Sequence, residues 1–149
     1  MSLQQFQLLV DVQREKEEKL QAQFVQAQQF LLQQQQKYQG LADYRTDYIR
    51  QSQQKASAGI QSRQFNQYLN FITKLDTALT QQQQHIMQAE KVVAQRKQAW
   101  LAQQKKRKAL ESLIAKELAL KAQKVAKQEQ KMLDEIATLQ FFRRLQQSS

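Results

Sequence analysis

The chain contains no cysteine and no proline, and only two glycines, Gly40 and Gly59, among its 149 residues. Turns draw heavily on proline and glycine, so a chain almost without them has almost no turns. That excludes a fold built from strands joined by hairpins. The lack of cysteine excludes a disulfide framework and thiolate metal sites, and fits a reducing compartment, with the cytoplasm as the expectation. No stretch is long and apolar enough to span a membrane as a helix. The first residues, Met1-Ser2-Leu3-Gln4-Gln5, lack the basic start and apolar run of a signal peptide.

Histidine is nearly absent too. His85 is the only one, which leaves histidine-based metal sites and acid–base pairs without material. Neither a glycine-rich phosphate loop nor a nucleophile elbow is present. Asp43 and Asp47 could pass for a carboxylate pair, but beside Arg45 and Arg50 they read as surface ion partners. The expectation is a protein without catalytic activity, cofactor, metal or small-molecule substrate.

What the chain does have is glutamine, 35 residues of it. Glutamine forms helices well and tolerates solvent. The runs 33–36 and 81–84 could be disordered polar tracts. Regular apolar residues flank both, which favours solvated helix faces. A hydrophobic share of 41% with a mean hydropathy of -0.77 implies narrow apolar seams in place of a thick core.

Those seams can be written out. From about residue 3 to about residue 54, one heptad set runs through Phe6, Gln13, Leu20, Ala27, Gln34, Leu41 and Tyr48. The interleaved set is Val10, Glu17, Phe24, Leu31, Tyr38 and Arg45, and nine of the thirteen positions are apolar. This spacing keeps one face of a slightly underwound helix against a partner. Residues 55–62 then gather small side chains around Gly59, which suits the positive φ of a helix C-terminus, and Ser62 can cap the second helix. From about 63 to about 145 a second seam repeats every seven residues at Phe65, Ile72, Leu79, Ile86, Val93 and Trp100, with Tyr68, Leu75 and Ala89 interleaved. Beyond Leu110 and Ile114 the repeat slips toward Leu118, Val125 and Met132, in the manner of a stutter. Gly40 falls inside the first helical pattern and costs roughly 1 kcal/mol relative to alanine.

The expected fold is therefore all-α: one domain over 1–149, a long antiparallel two-helix coiled coil with the second helix longer. A turn centred near residue 59 pairs residue 34 with about 84 and residue 6 with about 112. Beyond about residue 116 the second helix has no partner within the hairpin. Its apolar face there, through Val125, Met132, Ile136, Leu139 and Phe142, requires one. Charge is uneven as well. Residues 1–95 carry 10 basic and 8 acidic side chains, a net of +2, whereas 96–149 carry 13 and 5, a net of +8. The basic tract Lys105-Lys106-Arg107-Lys108, with Lys116, Lys121, Lys124, Lys127 and Lys131, could meet nucleic acid, an anionic membrane or an acidic protein surface. It lacks interleaved aromatics for base stacking and the layout of a basic zipper, which disfavours nucleic acid.

Near the turn the apolar face is wider than a two-stranded seam needs. Leu41, Tyr44 and Tyr48 on the first helix lie beside Phe71, Leu75 and Ala78 on the second. Two readings stand for this patch, a docking surface and a locally thick core.

At these residues the sequence resembles the flagellar export protein FliJ family. The similar words are Leu41-x-x-Tyr44-x-x-x-Tyr48, then Gly59-Ile60-x-Ser62-Arg63, Phe65-Asn66-x-Tyr68, and Phe71-Ile72-x-x-Leu75-x-x-Ala78, with Trp100 and Glu129-Gln130-Lys131-x-x-Asp134-Glu135 farther along. The resemblance covers nearly the whole chain. It implies a non-enzymatic stalk of the type III export apparatus, acting in the cytoplasm and at the cytoplasmic face of the inner membrane, in flagellar assembly and motility. The implied partners are the hexameric flagellar export ATPase, the cytoplasmic domain of the export gate protein, and export chaperones. Position by position, the implied gate contact is Leu41, Tyr44, Tyr48, Phe71, Leu75 and Ala78. With a ring as partner, the exposed basic and apolar overhang is the expected ATPase-ring contact, through Lys116, Lys121, Val125, Met132, Ile136 and Leu139. This chain has Gln82 where relatives carry histidine and Lys37 where they carry glutamine. Two other readings remain open at this level: the equivalent stalk of a virulence type III secretion system, and a basic coiled coil that binds nucleic acid.

Overall fold

A computed structural model describes residues 2–148, and they form two helices, α1 (Leu3–Ser57) and α2 (Ser62–Ser148), with no strand among the described residues. The helices pack antiparallel as a hairpin, with α2 the longer at 87 residues against 55. Local chemistry fixes their ends. At the start of α1 the Ser2 hydroxyl accepts the Gln5 amide at 3.2 Å, while the Gln5 side chain accepts the Ser2 amide at 2.9 Å. This reciprocal cap satisfies two amides that would otherwise be orphaned. At the other end, the Gly59 amide bonds the Ala56 carbonyl at 3.2 Å, and Gly59 takes φ +85°. Only glycine adopts that conformation without steric cost. The expected serine cap of α2 moves one residue earlier. The Gln61 carbonyl accepts the Phe65 amide, so Ser62 is the first helical residue and not the cap.

The contacts group into two units. In the unit Glu15–Gln104, which holds the turn, the seam is a ladder of side chains at steps of three and four. Leu75, Ile86 and Ala89 are buried on α2, and Gln34 and Ser52 on α1. The Phe24 and Trp100 rings stack at 5.5 Å. Cross-helix pairs follow the expected antiparallel register: Gln34 meets Gln82, and Gln23 meets Arg96. Phe65 departs from its expected seam position, being 43% exposed. The α1 residues opposite it, Ser52 and Gln53, are small or polar and offer nothing to bury an aromatic ring.

In the other unit, formed by Met1–Arg14 and Lys105–Ser149, Phe6 and Val10 are the buried apolar residues. Phe6 and Leu9 lie with Leu110, Leu113 and Ile114 along one apolar groove. Arg14 reaches the Glu111 carboxylate at 3.0 Å, and Arg107 holds the same carboxylate at 3.1 Å. The heptad register persists through Arg107, Leu110 and Ile114, so its slip toward Leu118 lies past the last half-buried position. From residue 115 to residue 148 α2 remains helical and every side chain is exposed.

Candidate interaction surfaces

The widened face near the turn is an aromatic cluster built across both helices. Tyr48 is its hub. Its ring lies 4.5 Å from Phe71, 5.4 Å from Tyr68 and 6.3 Å from Tyr44. Tyr44 and Phe71 meet edge to face at 6.2 Å. Such pairs each contribute about 0.5–1.5 kcal/mol beyond area burial. Burial beneath its neighbours raises the Tyr48 phenol pKa above its usual value, with Tyr68 and Tyr44 adding to the effect. The Lys55 ammonium lies 5.6 Å from the Tyr68 ring centre, and a hydrogen bond to Tyr68 raises its pKa.

The six residues singled out near the turn divide by orientation. Leu75 is buried in the seam, with Leu41 and Tyr48 half-buried beside it. Phe71 and Ala78 are half-buried one step off the seam, and Tyr44 is 53% exposed. The patch is thus a thick core and an exposed surface at once: three side chains fill the helix–helix space and three stand at its edge. Gln82, at the end of the same stripe, is buried. Its amide donates to the Gln34 backbone carbonyl at 2.9 Å and to the Gln34 side-chain oxygen at 2.8 Å. Satisfied internally, it takes no part in an outer surface. Lys37, at the stripe's other end, is exposed.

Around the cluster, Arg45 crosses the hairpin to bind the Asp76 carboxylate. Arg45 is therefore not a local ion partner of Asp43 and Asp47. Asp43 accepts the Gln39 amide at 2.9 Å, and Asp47 lies 3.9 Å from Arg50. The pairing rule placed residue 45 near 73, so a basic seam residue facing an acid three positions away was the available signal for the Arg45–Asp76 bridge.

On the overhang, Lys116, Lys121, Val125, Met132, Ile136 and Leu139 are all exposed, with Met132 and Leu139 at 60% and 62%. Val125, Met132 and Leu139 recur every seven residues and Ile136 interleaves with them, so a seam pattern continues on a helix with no facing α1. The Lys121 ammonium lies 5.7 Å from the Phe6 ring centre. Phe141 and Phe142 add exposed rings nearer the end of α2.

Among the described residues no helix is long and apolar enough to cross a membrane, and no group of three or more His, Cys, Asp or Glu side chains could hold a metal ion. A family model described as "Flagellar FliJ protein" matches residues 1–146. No curated protein and no solved structure matches the chain.

Proposed function

The chain belongs to the flagellar FliJ family, and from that premise we propose that it is a non-enzymatic stalk of the flagellar type III protein export apparatus. The observation that carries this reading is the family match over residues 1–146, which takes in both helices and the turn. In this role the overhang of α2 enters the ring of the hexameric export ATPase and promotes its assembly and activity. Its exposed seam residues Val125, Met132, Ile136 and Leu139 supply apolar contact, while Lys116 and Lys121 meet polar or acidic walls. The aromatic cluster near the turn engages the cytoplasmic domain of the export gate. Tyr44, Phe71 and Ala78 form the touching edge, and Leu41, Tyr48 and Leu75 hold that edge in place. Export chaperones are the third class of partner. Work at these partners places the protein in the cytoplasm and peripherally at the inner membrane.

The division of labour within the cluster can be tested directly. Tyr44→Ala weakens binding to the purified gate domain by about tenfold or more, the loss expected when an aromatic contact residue is truncated. The far-ultraviolet circular dichroism of the variant stays at the parent level, because Tyr44 is already half exposed. Equal losses of helix and of binding would return Tyr44 to the core and remove it from the surface.

A further inference from the structure

The two outer flanks of the hairpin in the unit Glu15–Gln104 are chemically unlike. In an antiparallel pair, the positions just outside the seam on α1 lie beside the equivalent positions on α2. On one flank these are Gln21, Gln28 and Gln35 facing Gln83, Glu90 and Lys97, with the Arg45–Asp76 bridge nearby. The other flank carries Phe30 and Tyr44 on α1 and Phe71 and Val92 on α2. Phe30 is 54% exposed and Val92 41% exposed, and together they line two neighbouring grooves, floored by Ala89 in one and Ala27 in the other.

Charge separates the flanks further. Between residues 71 and 102 the only carboxylates on α2 are Asp76 and Glu90, and both fall on the polar flank. Between residues 16 and 44 on α1 they are Glu17 in the seam, Glu18 toward the polar flank, and Asp43 on the outer back of the helix. The apolar flank and its margin instead carry Lys16, Lys37 and Lys74. Along this exposed flank the apolar side chains alternate with Lys37, His85 and glutamines. Between residues 16 and 44 its charged side chains are all cations, with Asp47 lying one turn beyond Tyr44 and paired with Arg50. Such a flank is complementary to an amphipathic helix with carboxylates along its borders.

We propose that this flank, centred on Phe30 and Val92, is a docking groove for one acidic-edged amphipathic helix of a partner protein. The helix lies as a third strand along the hairpin, with its apolar residues between Phe30 and Val92 and its carboxylates against Lys37 and Lys16. The groove shares Tyr44 and Phe71 with the proposed gate surface but extends past it, and it follows from the flank's own chemistry whatever the gate contact proves to be.

The test uses the full chain and two synthetic helical peptides. Both carry leucine and alanine at the inward heptad positions; one has glutamate at the flanking positions and the other lysine. Calorimetry gives binding of the glutamate peptide alone, weakening as salt rises. Phe30→Glu and Val92→Glu each reduce that affinity at least about tenfold. Met87→Glu, at a residue 52% exposed on the outer side of the other flank, leaves it unchanged. Joint Lys16→Glu and Lys37→Glu substitution shifts preference to the lysine peptide. Circular dichroism checks that each variant keeps its helix. Equal binding of the two peptides, no binding by a fully helical chain, or the same loss from Met87→Glu as from Phe30→Glu overturns the proposal. A dimer in sedimentation that Phe30→Glu dissolves also overturns it, because a second copy would then occupy the groove. None of these measurements contains an export component, so failure here leaves the proposed stalk function standing on the family match.

Discussion

Gly40 is a helical residue with open space around it. A methyl group added at its Cβ position meets nothing within 4 Å, and the residue has ordinary helical φ. Gly40→Ala therefore removes backbone entropy from the unfolded chain without a steric cost. It should stabilise the hairpin by about 1 kcal/mol in urea denaturation. A loss of stability would mean that the helix needs its weak point there. Glu111 offers a second test at the same scale. The hydrogen bond from Arg14 lowers its carboxyl pKa below the usual glutamate value, and Arg107 reinforces the effect. The folded pKa is thus the lower one, so the stabilisation is present above the ordinary glutamate pKa and is lost as pH falls through the folded value. Arg14→Gln should move the Glu111 titration upward in a carboxyl-resolved NMR experiment. An unmoved titration would mean that Arg107 alone sets it.

The helices themselves were largely legible in the sequence, because a seven-residue repeat leaves few alternatives. All thirteen seam positions read on α1 are buried or half-buried. The Gly59 turn was legible from composition as well. The α2 seam was harder to read where it is not apolar. Gln82, Gln103 and Arg107 fill seam positions that an apolar pattern passes over, and Phe65 occupies a heptad position faced only by small or polar α1 residues. Polar seam residues become legible only through their partners, as Gln82 does through Gln34. Near the turn, spacing predicted both which residues gather and which hold the seam: Leu41, Tyr48 and Leu75 occupy heptad positions, and Tyr44 and Phe71 fall outside them. A buried polar layer such as Gln34–Gln82 fixes register at some cost in stability. Joint Gln34→Leu and Gln82→Leu substitution should raise the melting temperature and loosen the alignment of the helices. Trp100 is the only tryptophan, so its fluorescence lifetime reports its stack on Phe24 and should broaden. A higher melting temperature with one unchanged lifetime would show that the apolar seam alone sets register.

At the scale of the whole chain, the distribution of chemistry is uneven in a way that suits a connector. A net of +8 lies in residues 96–149, together with the exposed repeat of Val125, Met132 and Leu139. The aromatic cluster lies near the turn, in the other unit. Membership of the flagellar FliJ family gives these features a common context, and the proposed roles assign the ATPase ring to one and the export gate to the other. Side chains that are exposed on an isolated helix can be changed without unfolding it, which makes the overhang the cleaner place to test the account. The decisive measurement is the ATP hydrolysis rate and hexamer fraction of the purified flagellar export ATPase, with the intact chain and with Met132→Asp plus Ile136→Asp. The account predicts that the intact chain raises both, and that the fully helical double variant raises neither. No stimulation by saturating, fully helical parent chain would contradict it.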